Sequence, residues 1–280
     1  MADGVKKYKA FILANLCAAL AFAAARLLII MNNIEVDSLE NSDGLYYLEG
    51  TASPTVFVCF CIAAVIACLV GAMLLTGKVK FALNNECSSV AFASALIGFM
   101  LLTLAAYYLY RIVFEHVKYS AGFIAVIVFT VLSAVYFLSV SSKRANKKLA
   151  RVLPLLSMIP IVLTAARLLY DFVDRSLTVT ASSYGYHLMG LASLMLFLCC
   201  EGRFIVGYRR KRVYVALGLI TSLLLLIYSV PALYLSLFWP LKLTDVTVYC
   251  VADLIMTVYI YCRLLSMPVS EEETVETVAE

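Results

Sequence analysis

Six side chains in this sequence carry chemistry that an apolar setting discourages: Arg26, Arg167, Asp171, Tyr249, Asp253 and Tyr261. The stretch LTAARLLYDFVDRS, residues 163–176, sets Arg167 and Asp171 in a run that otherwise dissolves in lipid. Residues 22–38, FAAARLLIIMNNIEVDS, repeat the Ala-Ala-Arg-Leu-Leu around Arg26. An arginine at mid-helix in a bilayer costs about 2.5 to 3.5 kcal/mol on insertion scales, so two in matching places require a reason. A guanidinium fork binds carboxylate or phosphate bidentately. Placed near one axis, the two arginines would form a positive outer vestibule for an anion. Each also has a plainer explanation. Asp171 follows Arg167 by four residues, the spacing of an intrahelical ion pair. Arg26 has Ile30 at that spacing. It must therefore snorkel outward on its long stem, meet an acid on another helix, or meet a ligand.

The central acid comes from DVTVYCVADLIMTVYIYCR, residues 245–263. Asp253 lies about 13 Å from the outer end of that run, close to the middle of a bilayer. Tyr249, Asp253, Thr257 and Tyr261 recur every four residues and make one polar helix face. A buried carboxyl there is held in one of two ways. A nearby guanidinium keeps it ionised, whereas burial among tyrosines leaves it able to exchange a proton. Because Arg167 has Asp171 at hand, the spacing favours the tyrosine-bonded state, with Tyr249 or Tyr261 as neighbour and Arg26 as the cationic alternative.

Other chemical groups read as ordinary. Arg111 and Glu115 form an i+4 pair at a helix end, His187 opens an apolar run as a polar cap, and Glu86 and Glu201 sit beside basic residues at helix ends. Pro160 and Pro231 lie inside apolar runs, where each frees a carbonyl one turn earlier. The chain contains no H-E-x-x-H, G-x-S-x-G, phosphate loop or G-x-G-x-x-G motif,. With two histidines and no lysine inside a run, no metal site, cofactor or enzymatic activity is expected.

Positioning these groups requires helices. The chain has 280 residues, 64% hydrophobic and only 14% charged, with a mean hydropathy of +0.95. Soluble domains carry about 25% charged residues. Apolar runs span roughly 10–32, 55–76, 88–114, 119–141, 152–173, 184–200, 213–239 and 244–267. Each approaches or exceeds the roughly 20 residues that cross a bilayer, and lipid requires every backbone polar group to be satisfied within its own segment. The expected fold class is an all-α integral membrane protein of eight transmembrane helices. The 184–200 run is the shortest. The first run continues through RLLIIM, too long for the core of a cleaved signal.

Lysines and arginines gather in segments 6–9, 78–80, 143–151 and 203–212, fifteen in all, against Lys118, Arg175 and Lys242 in the alternating segments. This positive-inside pattern puts both termini in the cytoplasm. It accounts for the basic residues as topology signals, so no nucleic-acid partner is expected. Setting Arg26 on Arg167 aligns the first run with the fifth, and setting Gly77 on Gly202 brings the following runs into the same order. The chain then reads as two parallel four-helix repeats, residues 1–141 and 142–267, with an acidic, disordered cytoplasmic tail at 268–280. Parallel repeats imply a pseudo-two-fold axis along the membrane normal. The functional expectation is a multi-pass protein of the plasma (inner) membrane that binds or transports a small, anionic solute in a cavity between the halves. The alternative is a non-transporting subunit or sensor that binds a protein partner. Expected partners are the lipid bilayer, the solute and other subunits in a homo- or hetero-oligomer.

Overall fold

The computed structural model describes residues 2–36, 45–47, 52–77, 87–116, 120–142, 147–175, 182–207, 210–238 and 244–267. Its elements in chain order are α1 (Ala2–Asn33), β1 (Ile34–Val36), β2 (Leu45–Tyr47), α2 (Ser53–Thr76), α3 (Ser88–Phe114), α4 (Ala121–Ser141), α5 (Lys147–Leu156), α6 (Met158–Arg175), α7 (Ser182–Val206), α8 (Lys211–Phe238) and α9 (Thr244–Ser266). Eight segments among the described residues are long and apolar enough to cross a bilayer, and one of them, Val152–Val173, runs through α5 and α6. The protein is a polytopic helical bundle of membrane type.

Local chemistry sets the helix starts. The Ser120 hydroxyl accepts from the Phe123 amide and caps α4, satisfying a donor that has no helical partner. Pro54 sits in the first turn of α2, where its missing N–H costs nothing. The fifth span is interrupted at Ser157, whose hydroxyl donates to the Pro154 carbonyl at 2.7 Å. Pro154 and Pro160 flank that break, and neither can donate a helical hydrogen bond.

Large apolar side chains cover the exterior. Leu74, Phe60, Phe92 and Phe99 are exposed, as expected where the surrounding solvent is hydrocarbon. Helix α8 is the hub and packs against α1, α2, α7 and α9. It is apolar all round, which suits a helix without a solvent face. Helix α3 would be its counterpart in a duplicated chain, and it packs against α4 and α9. The neighbours of the two helices are therefore not alike. Helix α6 bridges α4 and α7.

Two features depart from the sequence reading. The shortest expected span is a full 25-residue helix, α7, because the apolar pattern resumes after Glu201-Gly202-Arg203 with Phe204, Ile205 and Val206. The fold is all-helical as expected, apart from a short antiparallel ribbon in the first connection, in which Ile34 pairs with Tyr47, Glu35 with Tyr46 and Val36 with Leu45. The 268–280 tail, the centre of the first connection and the loop residues Lys78, Lys80, Lys118, Lys143, Arg144, Arg209 and Lys242 lie outside the described residues.

Candidate functional site

The buried charges fall into two clusters at different depths. The first is centred on Arg167 and Asp253, about midway along α6 and α9. Arg167, on α6, directs both terminal nitrogens at Asp253 on α9. Its Nη1 donates to Oδ1 at 2.9 Å and its Nη2 to Oδ2 at 3.1 Å. Asp253 is 1% exposed and Arg167 8%. The guanidinium also lies over the Tyr249 ring, 4.5 Å from its centroid. This is the fork geometry that makes arginine suited to a carboxylate.

Several expectations are corrected here. Asp253 is ion-paired with Arg167 and not bonded to tyrosine. Tyr249 packs its ring on the arginine, and the Tyr261 hydroxyl donates to the Asn15 side-chain oxygen on α1 at 2.9 Å. Nor does Arg167 pair with Asp171. An i+4 pair on one helix is worth only about 0.2–0.5 kcal/mol, and a bidentate contact to the deeply buried Asp253 displaces it. Asp171 instead meets His187 of α7, Nε2 to Oδ2 at 2.8 Å. The imidazole, expected as a simple polar cap, is buried and stacks near Tyr228 at 4.3 Å.

Arg26 neither snorkels nor pairs with Asp253. It is 2% exposed, its Nη1 donates to the Ile227 carbonyl of α8 at 2.7 Å, and its guanidinium lies 4.5 Å from the Tyr186 centroid. Ile227 stands four residues before Pro231. A proline has no N–H for the carbonyl one turn back, and Arg26 supplies the missing donor from another helix. The two matched arginines thus have different tasks. One completes a proline-broken helix, and the other neutralises a central acid.

The second cluster was not singled out in the sequence. Glu201 on α7 and Arg263 on α9 are each 1% exposed. Arg263 Nε lies 2.9 Å from Glu201 Oε1. The Tyr259 hydroxyl donates to the same oxygen at 2.5 Å and accepts from Arg263 Nε at 2.9 Å. The Tyr214 hydroxyl of α8 and Glu201 Oε2 are buried without a hydrogen-bond partner among the described residues. Gly202 lets α7 approach the break between α5 and α6 closely, since a Cβ there would meet Ser157 Oγ at 3.1 Å.

No protein-family model, curated protein or solved structure matches the chain. The site must therefore be read from its own geometry.

Between the clusters lies a cavity of about 20 Å³, lined by Leu101 of α3, Phe137 of α4, Thr164 and Arg167 of α6, and Asp253 and Met256 of α9, among others. That volume admits a single water. Leu198 of α7 also lines it, and Glu201 lies one turn further along the same helix. Likewise Met256 lines it and Tyr259 lies one turn beyond on α9. Phe137 stacks edge-on against Tyr259 at 5.5 Å and separates the cavity from the Glu201 cluster.

Proposed function

We propose that the chain binds a small solute and carries it across the membrane along a path bounded by α3, α4, α6, α7 and α9. The observation behind this reading is a stack of three features on the same helices. The Arg167–Asp253 pair stands at mid-depth, the cavity adjoins it, and the Glu201–Tyr259–Arg263 cluster lies beyond the cavity toward the ends of α7 and α9. Helices α3 and α4 belong to residues 1–141 and the others to 142–267, so the path runs between the proposed halves. Both clusters are charged contacts between α9 and a neighbour, Arg167 on α6 and Glu201 on α7. A carboxylate- or phosphate-bearing solute would compete with Asp253 for the Arg167 fork, the group best shaped to hold it. The duplicated origin and the orientation, with the Arg263 end and both termini cytoplasmic, belong to this proposal. They rest on the matched arginines and the alternating basic segments.

The partner-binding alternative draws support from the small size of the cavity. The small-residue stretch AFASALIG, residues 91–98, would suit a partner-docking face, but Ala93, Ser94, Ile97 and Gly98 are buried, and a Cβ on Gly98 would lie 2.7 Å from Leu138 of α4.

The test is a thermal-stability screen of purified protein in lipid nanodiscs against small carboxylates and phosphates. A bound solute at about 100 times its Kd adds about 2.7 kcal/mol of stability. Arg167→Gln should abolish the response, and proteoliposomes should exchange the same compound. If no compound in the panel stabilises the protein, the anion-carrier reading fails.

A further inference from the structure

Glu201 and Asp253 are equally buried, each facing an arginine, yet their hydrogen bonding differs in one respect. Asp253 commits both oxygens to the Arg167 fork. A proton on either oxygen would break a charged hydrogen bond. Glu201 collects its contacts on one oxygen. Oε1 faces Arg263 Nε at 2.9 Å and accepts from the Tyr259 hydroxyl at 2.5 Å, while Oε2 is buried without a partner among the described residues. A proton on Oε2 breaks no bond already made. An O–H there needs an acceptor, and Tyr214 offers a buried hydroxyl that also has no hydrogen-bond partner among those residues.

We infer that Glu201 is the proton-binding carboxyl of the membrane interior and that taking up a proton loosens α7 from α9 at the Arg263 end. Protonation removes the charge that Arg263 answers. The Tyr259 hydrogen bond, neutral on both sides after protonation, is then about half as strong as one to a carboxylate. Among the described residues, the groups facing Glu201 are Arg263 and Tyr259 from α9, Tyr214 from α8 and Tyr136 from α4, with Tyr8 of α1 near Tyr214, and Arg263 is the cation among these. Glu201 stands five residues before the end of α7, about 7–8 Å along the axis, so the route to water is short. Arg263 stands three residues before the end of α9, and once released its long stem can reach the interface. The inference deepens the carrier reading by naming the proton as its coupling ion. It depends on that reading only for the use to which the proton is put.

Two readouts test the site without any solute. Dicyclohexylcarbodiimide modifies protonated carboxyls in apolar surroundings. Full-length protein in nanodiscs should be labelled at Glu201 increasingly as the pH falls. Labelling should exceed that at Asp253 by at least about tenfold, the ratio that about 1.4 kcal/mol sets. Peptide mass spectrometry distinguishes the two. The second readout uses native thiols. Cys200 and Cys262 adjoin Glu201 and Arg263 and are half-buried. At one fixed pH, Glu201→Gln should raise their rate of modification by a water-soluble maleimide several-fold over the wild type. Adduct on Asp253 instead, adduct on neither acid, or unchanged thiol rates in a folded Glu201→Gln protein would each overturn the inference. If that variant does not fold, the carbodiimide result on the wild type decides. Failure here leaves the solute screen standing, and failure of that screen leaves the proton site standing.

Discussion

Asp253→Asn should destabilise the bundle substantially, and the size of the effect follows from what it leaves behind. The wild-type carboxylate accepts two charged hydrogen bonds, at 2.9 and 3.1 Å, from a guanidinium that is 8% exposed. Asparagine keeps one acceptor and sets its NH2 against the other donor. Arg167 is then a buried cation without its counter-ion. Breaking one side of a buried pair costs about 3–5 kcal/mol. The retained hydrogen bond and the Tyr249 ring, a cation–π contact of about 0.5–2 kcal/mol, place the expectation near the low end, about 3 kcal/mol. Replacing both partners with apolar residues, Arg167→Met with Asp253→Leu, leaves no orphaned charge. The double variant should lie within about 1 kcal/mol of the wild type. Unfolding free energies of the wild type, Arg167→Met, Asp253→Leu and the double variant, from steric trapping in lipid nanodiscs, would measure the cycle, with a coupling of at least about 2 kcal/mol expected. A single variant within about 0.5 kcal/mol of the wild type, or effects that simply add, would refute the view of Asp253 as one half of a structural ion pair.

Three further outcomes are expected. Arg26→Met should cost about 1–3 kcal/mol by leaving the Ile227 carbonyl without a donor. Adding Pro231→Ala, which restores an N–H one turn on, should recover part of that loss in the same unfolding assay. Cysteine-accessibility mapping should place 77–87, 142–151, 207–212 and both termini in the cytoplasm and 33–54 outside; residue 40 found inside would overturn the orientation. Cys87 stands at the N-cap position of α3, and the Ser89 hydroxyl 3.1 Å from its thiol, with the Ser89 and Val90 amides and Lys9 nearby, holds the thiol below the ordinary value despite partial burial. A lowered value leaves more thiolate at neutral pH. Inside-out vesicles should therefore react with an impermeant maleimide at Cys87 faster than at an ordinary thiol, and the rate should hold to lower pH before falling.

The spans were legible because crossing a bilayer needs only length and apolarity, and both are local properties of a sequence. Depth was legible too, since it is a residue count along a helix. Asp253 is as deeply buried as its position in the run implied. Pairing was not legible. Arg167 and Asp253 are 86 residues apart, and nothing local brings α6 beside α9. The i+4 spacing of Arg167 and Asp171 was a real proximity with the wrong consequence. Local contacts can always be counted from a sequence, whereas a stronger partner on another helix cannot. Glu201 and Arg263 were passed over for a different reason. Both lie near span ends, Glu201 two residues from Arg203 and Arg263 three residues before the end of α9, where water is the natural expectation. The available signal was the apolar Phe204-Ile205-Val206 after Glu201, which carries α7 on for more than a turn. The aromatic Tyr259, four residues before Arg263, pointed the same way.

The matched arginines also show how a repeated sequence feature can lose its symmetry. If the halves descend from one unit, Pro231 stands where the first half has Ala106, and Asp253 where it has Val128. An alanine leaves no carbonyl unanswered, and a valine offers no charge. The two features that the arginines answer, a proline-freed carbonyl and a central carboxylate, therefore both belong to the second half. Arg26 reaches across to α8 for the first, and Arg167 reaches α9 for the second. Arg26 is thereby tied to the backbone of the central helix, as an architectural group would be. Arg167 is tied to two side chains, the Asp253 carboxylate and the Tyr249 ring, and on the proposed reading its fork is the one that an anionic solute would claim.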